Sequence, residues 1–426
     1  MRHKQLLKDA AALIGGNVWA QAVGMLAYLL LSRLFSPEEF GVYNVFYGYV
    51  EVFIILSTCK YEMAVVRADD DREAAAVAHF ALRMNAFVSF ALLAVVALLL
   101  ASGGMHGKGA VMGQVAWLMP ALVFFCGTSR VYAAILNRWR VFKPIAGSEI
   151  ITSTGGALLK IGMGLLKMLQ PSWSKVIGFF GMPVGTVLGK MLGNANYAWK
   201  VKKMPLPREI GKKERMAAAK KYRNFAMFTM PKEFVSSLSY NLPLLWLAVY
   251  FDKAELGLFA FAMTVCLRPM NVLNSAFERM LYVRTMERVR NKGHIFSDII
   301  KFVGVVSAVA FPPMLLLFVF SEPFFAFLFG GRWAGCSFYA RCIIPWAFIA
   351  LSSTSLSFLA AIFGRQRDEF LFFVALLVLR ALALWIGIEQ DNFRLAILLF
   401  SSASAALSFI LLAWYLFLAR RYENYL

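Results

Sequence analysis

The sequence predicts an all-α polytopic membrane protein, with about 12 transmembrane helices in two parallel six-helix lobes around a central cleft. Three observations lead to this prediction. Of the 426 residues, 60% are hydrophobic and only 16% are charged, whereas soluble domains carry about 25% charged residues. Apolar segments long enough to cross a bilayer recur along the whole chain, and a short sequence near its start returns almost half a chain later.

The amino-terminal half contains six predicted membrane spans. A hydrocarbon core of about 30 Å needs about 20 apolar residues in a helix. The six segments of this kind are 13–34, 40–58, 81–101, 115–136, 150–169 and 176–199. The first is too long for a signal peptide, so it is predicted to be an uncleaved helix. The sixth is rich in glycine, which membrane helices tolerate because it lets backbones approach closely.

Six more spans are predicted in the second half of the chain. They are 232–250, 255–276, 300–320, 337–363, 370–388 and 394–418. A hydrophilic, basic stretch at 200–223 separates the two sets of six. We therefore predict an amino-terminal lobe at 1–199, a basic cytoplasmic linker at 200–230 and a carboxy-terminal lobe at 231–426. The linker is expected to be solvated, with contact to lipid headgroups as the alternative.

The distribution of lysine and arginine predicts the orientation of the chain. With the amino terminus inside, the inner segments carry 30 of these residues and the outer loops carry six. Cytoplasmic loops of membrane proteins are enriched in lysine and arginine. Both termini are therefore predicted to be cytoplasmic.

A sequence repeat relates the two halves. Residues 35–41 read FSPEEFG, and residues 251–257, a fixed 216 positions later, read FDKAELG. Both copies follow the first predicted helix of a set of six, and six crossings separate them, so the two helices run in the same direction. Parallel repeats of this kind are typical of transporters, which place a shared site between the repeats.

Several functional classes are disfavoured by the composition. The net charge is +20, but the basic residues lie between apolar runs and not on a polar surface, so we expect no nucleic-acid partner. The five cysteines and four histidines form no metal-binding or disulfide pattern, so no metal and no cofactor are expected. Motifs of nucleotide hydrolysis, zinc proteolysis and nucleophilic catalysis are missing, and the longest outer loop, about 102–114, is too small for a membrane glycosyltransferase or polymerase. The chain is therefore not expected to be an enzyme.

Eight basic residues lie within or at the edges of the predicted spans, where a charge is costly unless it faces an interior or a water-filled cavity. Four of them are near helix ends and are expected to extend toward the interface, namely Lys167, Lys190, Lys232 and Arg341. The four deeper ones are candidates for lining a cavity, namely Arg130, Lys160, Arg268 and Arg380. A basic interior suits an anionic substrate such as a diphosphate.

Glu51 is the embedded acid nearest the middle of a span. At the repeat offset it corresponds to Leu267, which directly precedes Arg268. We therefore expect Glu51 and Arg268 to face the central cleft, where Glu51 pairs with Arg268 or titrates during transport. The alternative is that Glu51 pairs within its own lobe, for example with Lys160.

Uncharged polar residues also lie within the spans. Asn17 and Gln21 are one helical turn apart on the first helix, and Asn271 and Asn274 follow Arg268 on the eighth. Their amide groups are compatible with binding sugar hydroxyls. Polar residues in membrane helices also serve as hydrogen bonds between helices, and this alternative stays open.

Two segments resemble the polysaccharide transporter family, in particular the Wzx-type O-antigen and exopolysaccharide repeat-unit flippases of the multidrug/oligosaccharidyl-lipid/polysaccharide exporter superfamily. The first is the hairpin LLLSRLFSPEEFGVYNVFYGYVEVFIILSTCKYEMAVV, and the second is ILNRWRVFKPIAGSEI. The family's first outer loop commonly reads like SPEEFG followed by a tyrosine. Its second helix commonly ends in an Arg/Lys-Tyr-Glu triplet, here Lys60-Tyr61-Glu62. The clear similarity covers about the first 150 residues.

The resemblance implies a flippase in the bacterial cytoplasmic (inner) membrane. Such a protein moves a polyprenyl-diphosphate-linked oligosaccharide from the inner to the outer leaflet by alternating access, for O-antigen, exopolysaccharide or lipopolysaccharide biosynthesis. The expected partners are the lipid-linked glycan and the lipid bilayer, with a polysaccharide polymerase and a chain-length regulator as further ones. The implied cleft residues are Arg268, Glu51, Arg130, Lys160, Asn17, Gln21, Asn271 and Asn274, and those at the cytoplasmic mouth are Lys60 and Glu62.

Two alternatives within the superfamily stay open. A cation-coupled multidrug antiporter is expected to bury an aspartate deep in a lobe, and the aspartates of this sequence fall in loops or at span ends. A peptidoglycan-precursor flippase usually has fourteen helices, whereas twelve spans are counted here.

Overall fold

The computed structural model describes residues 2–102, 112–207, 209–291 and 293–424. Within these ranges the chain is helical and contains no β-strand. Contacts divide the chain into an amino-terminal unit, Met1–Asn241, and a carboxy-terminal unit, Leu242–Leu426. The predicted limits of the lobes and linker, 1–199, 200–230 and 231–426, stay predictions.

The amino-terminal unit consists of long helices joined by short turns, with two short helices among them. In chain order they are α1 (Arg2–Leu34), α2 (Pro37–Thr58), α3 (Glu62–Arg67), α4 (Asp71–Ala101), α5 (Met119–Arg138), α6 (Phe142–Leu169), α7 (Ser174–Val201) and α8 (Lys212–Lys221). One turn of π-helix, Phe225–Thr229, leads into α9 (Met230–Tyr250), which runs from this unit into the next.

The carboxy-terminal unit has the same character. Its helices are α10 (Lys253–Arg290), α11 (Phe296–Val319), α12 (Ser321–Phe329), α13 (Cys336–Ser355), α14 (Phe358–Ile362), α15 (Gln366–Glu389) and α16 (Phe393–Glu423). The short helices α12 and α14 were not expected from the hydropathy, because they lie at the ends of longer apolar segments.

Each of the twelve predicted spans corresponds to a long helix, and the prediction of an all-α polytopic membrane fold is confirmed. Among the described residues, eight helical segments are long and apolar enough to cross a membrane, and they contain α2, α4, α5, α7, α11, α13, α15 and α16. Of the other four predicted spans, α1 has a shorter apolar described part, Val18–Leu34, and α6, α9 and α10 carry more polar side chains. Lys160 in α6 and Arg268 in α10 are examples.

The repeated sequence FSPEEFG forms the start of α2. The Glu39 backbone N–H donates to Ser36 Oγ at 3.4 Å, and the Ser36 N–H donates to Glu39 Oε2 at 2.8 Å. This reciprocal pattern is a capping box, which satisfies two backbone donors of the helix start. Phe35 beside it is fully buried. In the second copy, Asp252 caps α10 by accepting a 3.0 Å hydrogen bond from the Ala254 N–H.

A buried ion pair attaches this turn to α6. Lys167 Nζ lies 2.7 Å from both carboxylate oxygens of Glu39 and 3.3 Å from the Leu34 carbonyl oxygen. The Glu39 and Lys167 side chains are only 9% and 16% exposed. Lys167 was expected to extend toward the interface, and the structure instead gives it a partner. Gly178 of α7 packs on the same carboxylate, where a Cβ atom would lie 2.0 Å from Glu39 Oε1.

Glycine spacing brings α6 and α7 into backbone contact. Glycines recur every four residues along α7, at positions 181, 185, 189 and 193. A Cβ atom on Gly189 would lie 2.5 Å from Gly156 Cα of α6, and one on Gly193 would lie 1.9 Å from Thr152 Oγ1. Small residues at this spacing let membrane helices approach closely. The high glycine content of the sixth predicted span therefore reflects helix packing.

The short helix α8 packs against the amino-terminal unit, although it lies in the predicted linker. Ala218 and Ala219 are buried in a cluster with Tyr61, whose hydroxyl donates to the Ala219 carbonyl oxygen at 3.2 Å. Lys221 Nζ contacts Asp69 Oδ2 at 2.7 Å. Hydrogen bonding to Lys221 lowers the pKa of Asp69 below its usual value. Part of the hydrophilic stretch thus has a fixed place on the unit.

We predict that Gly189→Ala lowers the melting temperature of the purified protein, because the added methyl group collides with the α6 backbone. Gly162→Ala is the matched control, since no atom lies within 4 Å of a Cβ at that position of α6. Alanine favours a helix over glycine by about 1 kcal/mol, so the control is expected to be neutral or stabilising. Equal melting temperatures for the two variants would contradict the packing described for α6 and α7.

We also predict that Glu39→Gln destabilises the protein. The change leaves the Lys167 charge buried without its partner, and breaking a buried pair costs about 3–5 kcal/mol. Denaturant titration in detergent measures the effect. The control Glu38→Gln changes the neighbouring exposed acid and is expected to have little effect. Adding Lys167→Met to Glu39→Gln removes the unpaired charge and should restore part of the stability, and a double variant no more stable than Glu39→Gln would argue against the ion pair.

Candidate functional site

Four charged side chains from four helices of the amino-terminal unit gather around Cys126. They are Glu51 on α2, Arg130 on α5, Glu149 on α6 and Lys190 on α7. All four lie within electrostatic range of the Cys126 thiol, which places them in one neighbourhood. We call these four residues the inner cluster.

Glu149 and Lys190 face each other across the contact between α6 and α7. Lys190 Nζ lies 3.7 Å from Glu149 Oε1, which is longer than a normal hydrogen bond. The Tyr197 hydroxyl donates to the same oxygen at 3.2 Å. Lys190 and Tyr197 are seven residues apart on α7, so they share one face of that helix. Tyr197 therefore supplies the hydrogen bond to Glu149, and Lys190 supplies the opposite charge.

Arg130 and Glu51 differ in how well their polar atoms are satisfied. Glu51 Oε2 accepts a hydrogen bond from the buried Asn241 side chain at 3.1 Å. Arg130 Nη1 is buried and has no hydrogen-bond partner among the residues that the structure describes. A buried donor without an acceptor is uncommon in native structures. The inner cluster thus retains hydrogen-bonding capacity for an anionic group.

The helices around the inner cluster are fixed by a second polar contact. Asn194, one turn after Lys190 on α7, donates to Ser129 Oγ at 2.9 Å and to the Phe125 carbonyl oxygen at 2.8 Å, both on α5. This contact adjoins Arg130 in sequence. The positions of Arg130 and Lys190 are therefore coupled through the packing of α5 against α7.

Lys160 lies on α6 and contacts Tyr43 of α2. Its Nζ atom is 3.4 Å from the Tyr43 hydroxyl and 5.4 Å from the centre of the ring. The Tyr43 hydroxyl also lies 3.1 Å from Thr186 Oγ1 of α7. Lys160 therefore contacts an aromatic residue of α2, and the alternative pairing of Glu51 with Lys160 stays a prediction.

Lys60 and Glu62, the two residues predicted at the mouth, lie just after the end of α2. Lys60 has a left-handed backbone conformation, with φ of 63°, and is buried. Its ammonium forms an ion pair with Glu233 and lies 4.0 Å from Glu62 Oε1. Glu62 is also buried, and its Oε2 atom has no hydrogen-bond partner in the described part of the chain. Lys60 is thus within ion-pairing distance of two carboxylates, those of Glu62 and Glu233.

The predicted site residues of α1 are described in part. Gln21 is exposed. The side chain of Asn17 lies outside the described residues. Neither the proposed sugar contacts nor the alternative of hydrogen bonds between helices is decided for these two positions, and their role stays a prediction.

The remaining predicted site residues, Arg268, Asn271 and Asn274, lie on α10 of the carboxy-terminal unit. Asn274 Oδ1 accepts a 2.5 Å hydrogen bond from the Ser355 hydroxyl of α13, so it links two helices of this unit. The side chain of Asn271 lies outside the described residues. The pairing of Arg268 with Glu51 stays a prediction.

Arg380 of α15 has its partners within the carboxy-terminal unit. Its Nε donates to Ser404 Oγ at 2.8 Å, and its guanidinium lies 4.8 Å from the Trp346 ring and 4.9 Å from the Phe400 ring. The side chain is buried. Cation–π contacts and the hydrogen bond account for the placement of this charge within the packed helices.

Glu149, Lys190 and Tyr197 were not among the residues predicted for the site. Lys190 was expected to extend toward the interface. A signal was present, because Lys190, Asn194 and Tyr197 form a polar stripe with helical spacing in an otherwise apolar segment. The partner of that stripe is on another helix and is not visible in the spacing.

The chemistry of the inner cluster is that of ion binding. Two carboxylates, one guanidinium and one ammonium can bind charged groups. Arginine and lysine are the side chains that bind phosphate groups in proteins. Among the described residues, no group of three or more histidine, cysteine, aspartate or glutamate side chains is arranged to hold a metal ion.

Solved structures share this fold. A multidrug resistance MATE family transporter of the MOP superfamily, in an inward-facing conformation, matches with a TM-score of 0.69 at 15% identity, over 95% of this chain and 96% of that chain. The lipid II flippase MurJ, in an inward closed conformation, matches with a TM-score of 0.75 at 12% identity, over 97% and 90%. A MOP superfamily transporter from Pyrococcus furiosus gives 0.63 at 13% identity, over 98% and 96%.

These TM-scores show a common fold of about twelve helices. No curated protein sequence matches the chain. A family model described as polysaccharide biosynthesis protein matches residues 30–338, which is more than half of the sequence. The match extends well beyond the first 150 residues that carried the resemblance, and it confirms that resemblance. The chain belongs to this family of polysaccharide biosynthesis proteins and has the fold of the MOP superfamily.

Proposed function

We propose that the protein is a flippase for a polyprenyl-diphosphate-linked oligosaccharide repeat unit. It moves this substrate from the inner to the outer leaflet of the cytoplasmic membrane by alternating access, for the synthesis of a surface polysaccharide such as O-antigen or exopolysaccharide. The family match supports a role in polysaccharide biosynthesis. The fold shared with a lipid II flippase supports transport of a lipid-linked precursor.

The observation that carries the proposal is the incompletely satisfied pair of cations in the inner cluster. Arg130 Nη1 is buried without an acceptor, and Lys190 lies beyond hydrogen-bonding distance of Glu149. A charge at bilayer depth is costly and usually marks a substrate path. The oxygens of a diphosphate would accept hydrogen bonds from both cations. We therefore place the diphosphate of the substrate at Arg130 and Lys190, with Lys160 as a further cation on α6.

The other predicted cleft residues keep their proposed roles. Arg268 adds a cation for the diphosphate, and the amide side chains of Asn17, Gln21, Asn271 and Asn274 suit hydroxyl groups of the glycan. Lys60 and Glu62 are the proposed first contacts of the substrate head. A polysaccharide polymerase and a chain-length regulator are proposed as partners that act on the flipped product.

Two other functions have some support. Glu51 is a half-buried acid in the middle of α2, and a MATE family transporter shares the fold, which favours a cation-coupled multidrug antiporter. The likeness to MurJ favours a peptidoglycan-precursor flippase. The donors available at Arg130 and Lys190 argue against a cationic drug, and they suit either diphosphate-linked substrate equally well.

We predict that the purified protein in liposomes moves a fluorescent polyprenyl-diphosphate glycan across the bilayer. Arg130→Gln is expected to lower the rate at least tenfold, because it removes a charge-assisted contact of about 1.5–3 kcal/mol. Chemical quenching of the outer leaflet measures the rate. The control Lys175→Gln removes an exposed cation outside the inner cluster and should leave the rate unchanged.

The same liposomes distinguish the alternatives. Export of a cationic dye without movement of the glycan would overturn the proposal in favour of an antiporter. Movement of lipid II at a higher rate than the glycan would favour the peptidoglycan precursor. An unchanged rate in Arg130→Gln would contradict the placement of the diphosphate in the inner cluster.

We predict the orientation from the excess of basic residues in the inner segments. In a variant whose five cysteines are replaced, Met216→Cys on the exposed side of α8 should react with a membrane-impermeant maleimide only in inverted vesicles. Gln170→Cys, in the exposed turn after α6, should react only in intact cells. The reverse pattern would refute cytoplasmic termini.

A further inference from the structure

A cavity beside α3 contains Glu62, a proposed first contact of the substrate head, but its other lining residues have no role in the function proposed so far. Its volume is about 460 Å³, and its lining includes Glu62, Met63, Val66, Arg67, Phe142 and Ile145. Small-molecule sites in proteins usually measure about 300–1,000 Å³. The cavity is separate from the inner cluster, since none of the inner-cluster residues lines it.

Glu62 gives one end of the cavity a negative charge. Two carboxylates, those of Glu62 and Glu233, lie near Lys60. Lys60 forms its ion pair with Glu233 and lies 4.0 Å from Glu62 Oε1. Glu62 is 7% exposed, and its Oε2 atom has no hydrogen-bond partner among the described residues. A buried carboxylate oxygen without a donor is costly. A ligand with a cationic N–H donor would satisfy it.

Arg67 gives the cavity a positive group. Its guanidinium is exposed and lies 5.1 Å from the centre of the Phe225 ring. No ion pair of Arg67 occurs within the part of the chain that the structure describes. The ring holds the guanidinium in place through a cation–π contact, and the N–H groups stay available to a phosphate.

The rest of the lining is apolar except for Asn137. Met63 and Val66 are large hydrophobic side chains that are more than two-fifths exposed, and Phe142 and Ile145 start the facing helix α6. An exposed apolar wall between two opposite charges fits an amphiphile that carries both charges in its head. Both flanking segments, 60–83 and 137–143, belong to the inner side in the proposed orientation, where the wall would meet the inner leaflet.

We propose that this cavity is a binding site for an aminophospholipid of the inner leaflet, with its ammonium at Glu62, its phosphate at Arg67 and the start of an acyl chain on Met63 and Val66. A phosphatidylethanolamine head matches both charges. A phosphatidylglycerol head lacks the cation, and a phosphatidylcholine head has a cation without an N–H donor. The site shares Glu62 with the proposed entry of the flippase substrate, and we expect it to bind lipid when no glycan is present.

Native mass spectrometry of the full-length protein, titrated with phosphatidylethanolamine, phosphatidylglycerol and phosphatidylcholine of equal acyl chains, tests the proposal. We expect phosphatidylethanolamine to bind about tenfold more tightly than the other two, which corresponds to one charge-assisted hydrogen bond. Glu62→Gln should abolish this preference, and Arg67→Gln should weaken binding of all three lipids. The control Glu38→Gln changes an exposed acid away from the cavity and should retain the preference.

A second variant tests the proposal in case Glu62→Gln does not fold. Ala133→Phe fills the cavity from α5 without touching either charge and should also lower phosphatidylethanolamine binding. Equal affinities for the three lipids in the unaltered protein would overturn the proposal, and so would a full preference in Glu62→Gln. Displacement of phosphatidylethanolamine by a polyprenyl diphosphate that needs Arg67 and not Glu62 would assign the cavity to the transport substrate instead.

Discussion

The charges carried by α2 and the turn after it hold the amino-terminal unit together. A charge buried among apolar helices needs a partner, because leaving it unpaired costs several kcal/mol. Each charge meets that need on a different part of the chain, and the pairs are Glu39–Lys167, Glu51–Asn241 and Lys60–Glu233. These contacts are spread along the whole length of α2. They fix its start to α6 and its middle and end to α9, so a shift of α2 would break several of them at once.

Backbone contact between α6 and α7 determines where the inner cluster lies. The glycines of α7 leave no space for side chains on that face, so the two helices meet closely. Gly189 directly precedes Lys190, and Gly193 directly precedes Asn194. The polar stripe therefore starts at the edge of the contact, where Lys190 can approach Glu149 of α6. The same residues that make the segment weakly apolar also bring its charged side chain to a partner.

The long helices were predictable because each one is a continuous apolar segment, and that signal is local in the sequence. The charge partners were not. Lys167 and Lys190 were both expected to extend toward the interface, yet each meets a carboxylate on another helix. The hydropathy of a segment shows that a charge within it is costly to bury. It does not show which residue on another helix pairs with that charge. The short helix α8 was likewise hidden, because its buried face consists of alanines within a strongly basic stretch. Of the predicted site residues, Glu51 and Arg130 both lie near Cys126, and both stand out in the sequence as isolated charges in apolar spans.

The inner cluster is balanced in charge and unbalanced in hydrogen bonding. Glu149 accepts from Tyr197 and Glu51 accepts from Asn241, so each carboxylate has a neutral donor in addition to the nearby cations. Those neutral donors reduce the need of the carboxylates for Arg130 and Lys190. The guanidinium consequently has a buried N–H group without an acceptor, and the ammonium lies 3.7 Å from its nearest carboxylate. A cationic ligand would add donors where donors are already in excess. A diphosphate would add acceptor oxygens, and it would bind without displacing either carboxylate from its neutral partner.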